Sequence, residues 1–167
     1  MANTYNLLAS TTIGSGGTPT ITFNNILNTY TDLKIVISGR LSQSITQSNP
    51  TISFNGSTTN FTFRFLYGTG SGVGNTGASG NAIADTNAAN STASIFTNME
   101  IYIPNYTSSL QKRFIIDSAQ ENNATLAYPE VWTMLWSDTS VISSIAIDSG
   151  STWVQYSTAY LYGIKNS

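Results

Sequence analysis

Thr51-Ile52-Ser53-Phe54-Asn55-Gly56 and, after four further residues, Phe61-Thr62-Phe63-Arg64-Phe65 decide the fold class. In both runs apolar and polar residues alternate with a period of two, which is the repeat of a half-buried strand and not of a helix. Phe61, Phe63 and Phe65 share one face, while Thr62 and Arg64 lie opposite. Asn55-Gly56 ends the first run with the residue pair that most readily takes positive φ at both centres of a tight hairpin turn.

Working outward, similar β-type runs recur between turn residues. Tyr5–Ile13 is closed by Gly14-Ser15-Gly16-Gly17. Thr20–Phe23, Leu33–Arg40, Ser94–Ile103, Lys112–Ala119, Val131–Trp136, Val141–Ile147 and Trp153–Ile164 follow the same logic. In the last of these Val154, Tyr156, Thr158, Tyr160 and Tyr162 would share one face. Residues 25–32 offer one short helical turn that Asn24 or Asn25 would cap. No heptads and no internal repeat occur. The expectation is an all-β chain: one antiparallel β-sandwich domain over residues 1–167, most simply a jelly roll, with about ten short strands. Residues 68–93 break the pattern. They open with Gly68-Thr69-Gly70-Ser71-Gly72-Val73-Gly74 and show no periodicity, so they read as a long surface loop or flap that orders against a neighbouring chain.

Composition limits the chemistry. The 167 residues include no histidine and no cysteine, and only 8% are charged, against about 25% in ordinary domains. Disulfides and thiolate metal sites are therefore excluded. Hydroxyl and amide side chains must supply most of the polar surface, while 40% hydrophobic and 11% aromatic residues suffice for a core. A net charge of −2 and six scattered basic residues, of which only Lys112 and Arg113 are adjacent, give no phosphate-tracking stripe, so no nucleic-acid partner is expected. No apolar run reaches the length of a membrane-spanning helix, and no membrane insertion is expected. The first residues lack a basic and apolar leader, which points to synthesis in a cytoplasm.

Each motif with chemical potential has a plainer reading. The glycines at 68–74 do not form G-x-G-x-x-G, and no Gly-Lys-Ser/Thr follows, so no nucleotide cofactor is expected. Asp32, Asp117, Glu121, Glu130, Asp138 and Asp148 could hide a glycosidase pair, but Glu130, Asp138 and Asp148 sit at predicted strand ends and Asp32 precedes a strand. Asp32 in particular reads as a turn organiser. No acidic calcium loop is present, and no metal or catalytic residue is expected. Five N-x-S/T sequons, at Asn55, Asn60, Asn90, Asn105 and Asn123, follow from a composition rich in Asn, Ser and Thr. Arg40 and Arg64 would be costly if buried unpaired, with Asp117, Glu100 or Glu121 as expected partners. Trp132, Trp136, Trp153, Tyr156, Tyr160 and Tyr162 suit a sandwich core and a subunit interface. The alternative is a sugar-stacking platform, with Trp136 and Trp153 as the glycan contacts.

Several strings together resemble a known group. Tyr30-Thr31-Asp32-Leu33-Lys34-Ile35-Val36-Ile37-Ser38-Gly39-Arg40, Ile52-Ser53-Phe54-Asn55-Gly56 and Ile101-Tyr102-Ile103-Pro104-Asn105-Tyr106 are joined by Glu121-Asn122-Asn123-Ala124-Thr125, Leu135-Trp136-Ser137 and Gln155–Ile164. This set resembles small virion structural proteins of tailed bacteriophages, especially cyanophages and marine phages. The motifs are strands, turns and an interior arginine. The resemblance implies assembly without catalysis: a capsid decoration or cement protein, located in the virion and assembled in the host cytoplasm. It would form homotrimers that clamp neighbouring copies of the major capsid protein on the head exterior. The same architecture serves in tail-fibre tips that touch host surface glycans, which is the alternative. The chain opens without a coiled-coil or fibre-forming segment, which favours the head. Gly70, Gly72 and Gly74 of the glycine-rich segment, with Tyr5 and Leu7 near the N-terminus, are the expected interface residues.

Overall fold

A computed structural model describes residues 4–121 and 127–165. Asn122–Thr125 of the resemblance, with the Asn123 sequon, lie outside the described residues. Thirteen strands form: β1 (Tyr5–Thr12), β2 (Thr18–Phe23), β3 (Asp32–Gly39), β4 (Gln47–Ser48), β5 (Thr51–Phe54), β6 (Phe61–Gly68), β7 (Val73–Ser79), β8 (Thr86–Asn87), β9 (Thr97–Ile103), β10 (Lys112–Glu121), β11 (Ala127–Trp136), β12 (Ile145–Trp153) and β13 (Thr158–Ile164). No helix occurs among the described residues; 25–31 are irregular backbone and turn instead of the expected helical turn, and Asp32 already belongs to β3.

All strand pairs are antiparallel. The large sheet has eight strands in the order β1-β13-β3-β9-β10-β11-β6-β7, the small sheet three in the order β2-β12-β5, and β4 pairs with β8. The expected all-β antiparallel architecture is present and compatible with a β-sandwich, divided eight strands to three. Period-two alternation builds the core. In β10, Lys112, Phe114, Ile116, Ser118 and Gln120 are buried, and the residues between them are exposed. Leu33, Ile35 and Ile37 of β3, Met99, Ile101 and Ile103 of β9, and Trp132, Met134 and Trp136 of β11 extend this inner layer. The small sheet covers it with Ile21, Phe23, Ile52, Phe54, Ile145 and Ile147. Phe54 is the hinge of the two layers, with ring centroids 5.5 Å from Phe61, 5.2 Å from Phe114 and 5.3 Å from Trp136. Such offset and edge contacts each add about 0.5–1.5 kcal/mol beyond area burial.

Three local expectations are corrected. Asn55 (φ 53°) and Gly56 (φ 76°) make the predicted turn, yet β5 and β6 do not pair with each other. The chain instead crosses there from the small sheet to the large one. Asn55 fixes the crossing, since its Oδ1 accepts from the Ser143 and Ser144 amides and its Nδ2 donates to the Val141 carbonyl. Secondly, residues 68–93 are not a loop throughout. Val73–Ser79 forms the edge strand β7 against β6, and Ile83, Ala84 and Ala88 are fully buried. Thirdly, Trp153 ends β12 instead of starting β13, and Tyr156 sits in the intervening turn at φ 71°.

Candidate interaction face

The small sheet and residues 80–96 cover one face of the large sheet. The other face carries side chains in register across the strands. One row runs Leu66, Val131, Asp117, Glu100, Val36, Tyr160, Ser10. The next runs Arg64, Thr133, Ile115, Tyr102, Lys34, Tyr162, Leu7. The outward face of an antiparallel sheet is ordinarily polar. Here Leu66 (63% exposed), Val73 (93%), Val131, Ile115 and Leu7 all face solvent. Leu66, Tyr67, Val73, Pro129 and Val131 line a groove of about 430 Å³ where β6, β7 and β11 meet.

Charge on this face is sparse and locally neutralised. Asp117 and Glu100 stand directly opposite each other, and Glu100 takes a 2.7 Å ion pair from Lys34 Nζ. That contact holds the Lys34 ammonium above its ordinary range. Tyr102 donates its hydroxyl to Asp32 Oδ2 at 2.7 Å, which with burial pushes the phenol up to about 12. Asp32 also accepts the Asn105 amide at 2.8 Å and so organises the turn after β9, the role its sequence context suggested. Tyr102 is therefore held in place, and its ring presents a rigid surface.

The expected site residues scatter. Tyr5 and Leu7 lie exposed on β1 at one margin of the outward face, with Tyr5 edge-on to Tyr162 at 6.5 Å. Gly70 and Gly72 sit in the β6–β7 turn, where Gly70 needs φ 78°. Gly74 lies in β7 at the opposite margin. Trp136 and Trp153, the expected glycan contacts, are 1% and 0% exposed, so neither presents a ring to a sugar. Trp136 fills the core beside Phe54 and Phe61, and Trp153 packs over Gly39, where an added Cβ would lie 2.5 Å from the indole. The sequence reading passed over Leu66, Val131 and Val73. The available signal was the parity of β6: extending the Thr62, Arg64 alternation by two puts an apolar Leu66 outward.

Interior polar residues act as fasteners. Arg40 does not meet the expected carboxylates. Its guanidinium donates to Ser91 Oγ and to the carbonyls of Ala89, Ser91, Thr92 and Ile95, at 2.7–3.3 Å. Glu121 grips the same segment from the other side, accepting the Thr92 amide and hydroxyl. Arg64 is exposed and donates to the neighbouring Phe63 carbonyl. Lys112 is buried, and its Nζ caps the Ser108 and Leu110 carbonyls, so it does not pair with Arg113 in a basic patch. Burial lowers the Lys112 ammonium.

The nearest approach to an acid pair is Asp85 with Glu130. Glu130 is buried and accepts the Trp132 indole N–H and the Asp85 amide, while Asp85 accepts Gln47 Nε2 at 2.7 Å. Burial, then the Glu130 charge, push the Asp85 carboxyl up to about 6. Both carboxyls are engaged in pinning residues 83–87 to the large sheet, the geometry of a structural seam. Among the described residues no cluster of three or more acidic side chains could hold a metal ion. No protein-family model, curated protein or solved structure matches the chain.

Proposed function

We propose that this protein is a non-enzymatic virion structural protein of a tailed bacteriophage: a capsid decoration or cement protein, homotrimeric on the head exterior, that clamps neighbouring capsid subunits. The observation that carries the adhesive part of this reading is the uncovered face of the large sheet. Seven strand spacings and strands of about seven residues give it roughly 34 by 23 Å, on the order of 800 Å², the contribution of one partner to a standard protein interface. Exposed aliphatic and tyrosine side chains with little charge are what the centre of such an interface uses. The virion setting comes from the resemblance of the strand and turn motifs.

The mechanism is multivalent. Several modest contacts in one trimer add through effective concentration, and the assembled shell gains stability by linkage because the loose subunits are not bound. The glycan-binding alternative has lost its two named tryptophans to the core. The test is quantification of this chain in purified particles, followed by calorimetry of stripped shells with and without added protein. Hundreds of copies per particle and a raised shell melting temperature are expected. A few tens of copies, or an unchanged melting temperature, would refute the clamp.

A further inference from the structure

The two larger sheets have four outer edges, and three are protected. On β2, Pro19 removes an edge donor. On β5, Asn81 and Ala82 close the edge, through an Ile52 amide to Asn81 carbonyl bond of 2.9 Å, Asn81 Nδ2 to the Ile52 carbonyl at 2.8 Å and a Thr51–Ala82 bridge. On β1, a bulge between Leu7 and Ala9 breaks the regular register. The fourth edge is β7, Val73-Gly74-Asn75-Thr76-Gly77-Ala78-Ser79. It pairs with β6 in unbroken register from Val73 to Ser79, has no charge and no proline, and is covered by no segment among the described residues. Proteins that stay monomeric guard such an edge, because its free N–H and C=O groups are a template for another strand.

We propose that β7 is a self-association edge, which pairs antiparallel with β7 of a second copy across a two-fold axis and joins two eight-stranded sheets into one. A two-fold perpendicular to the sheet preserves antiparallel sense, and β7 itself carries no charge; the charge nearest the seam is Arg64 of β6, which lies over Gly77. The glycines keep the edge thin. An added Cβ at Gly74 would lie 2.4 Å from the Tyr67 ring and one at Gly77 2.2 Å from Arg64 Cδ, so both side chains fold across β7 at those positions. Exposed Val73 and Leu66 flank the seam and would lose water-exposed area from both copies at once. The inference rests on the assembly reading and deepens it: β7 is where one bound trimer would meet the next.

The absence of native cysteine makes the test direct. Asn75→Cys and Thr76→Cys each place one thiol on β7, and Ser10→Cys places one on β1 as a control. Mild oxidation of each purified variant is followed by non-reducing gels, with sedimentation of the untouched chain alongside. Covalent dimers from at least one β7 variant, at least tenfold above the β1 control, are expected. A β1 control that cross-links equally, β7 variants that stay single while the native chain sediments as an assembly, or a native chain that sediments as a monomer would each overturn the edge. Shell clamping is read separately by calorimetry, so loss of the edge with clamping intact sinks only this inference.

Discussion

Replacing Asp85 by Asn should make the protein more stable at neutral pH, against the usual outcome for a half-buried hydrogen-bonded residue. The Asp85 carboxyl is raised from 3.8 to about 6 by burial and by the Glu130 charge beside it. In the unfolded chain it ionises near its ordinary value. Between roughly pH 4 and 6 the unfolded state therefore binds fewer protons than the native state, and stability falls as pH rises through this window. A shift of about two units at 1.36 kcal/mol each sets the loss at about 3 kcal/mol, complete above about pH 7. Asn keeps an acceptor for Gln47 Nε2 and offers Glu130 a donor in place of a like charge.

The assay is urea or thermal unfolding of wild type and Asp85→Asn from pH 4 to pH 8. The variant should gain up to about 3 kcal/mol at pH 8, which for a domain of this size is roughly 6–12 °C in Tm, and should gain little at pH 4. Glu130→Gln should make the same part of the profile shallower without flattening it, since it removes the Glu130 charge but leaves the burial that contributes most. If the Asp85→Asn curve runs parallel to wild type across the whole range, the carboxyl pair is not the seam described, and the reasoning fails.

Other outcomes follow from the same contacts. Arg40→Lys should cost about 3 kcal/mol in urea unfolding, because an ammonium cannot reach the five oxygens that the planar guanidinium bridges across Ala89–Ile95. Gly39→Ala should destabilise by about 1–3 kcal/mol through its clash with the Trp153 indole, and Trp153→Ala by about 3–5 kcal/mol, both read as Tm shifts in differential scanning calorimetry. Leu66→Glu with Val131→Thr should leave unfolding within about 0.5 kcal/mol of wild type, since both side chains face solvent and the new carboxylate has no charge directly opposite it, but should abolish the rise in shell melting temperature.

How much of this was legible in the sequence depended on where each residue's constraint comes from. Strands with one buried face announce themselves. Phe61-Thr62-Phe63 and Lys112–Ala119 alternate in burial because the pleat puts every second residue into the core, and β3 and β9 lie close to their expected spans. β7 carries no such signal. Almost all of its residues are exposed on both faces, so its sequence has no period, and it is held only by backbone pairing to β6. Residues 80–96 were hidden for a different reason. Their buried backbone is satisfied by Arg40, Glu121 and Glu130, which lie 29 to 55 residues away along the chain, a partnership that no local pattern displays.

The candidate face follows the same division. Each outward residue was readable from strand parity, but their sum was not, because Leu66, Val131, Ile115 and Leu7 come from four strands whose neighbours only the sheet order reveals. Low charge has one cause behind both features. A chain with few charged side chains has few with which to guard an edge or make a face polar, so the uncharged β7 and the aliphatic outward rows arise together. A monomer built this way would be prone to aggregate; an assembling subunit uses both surfaces. On the function proposed above, the same low-charge composition underlies both adhesive surfaces, and the cysteine and glutamate variants test the two independently.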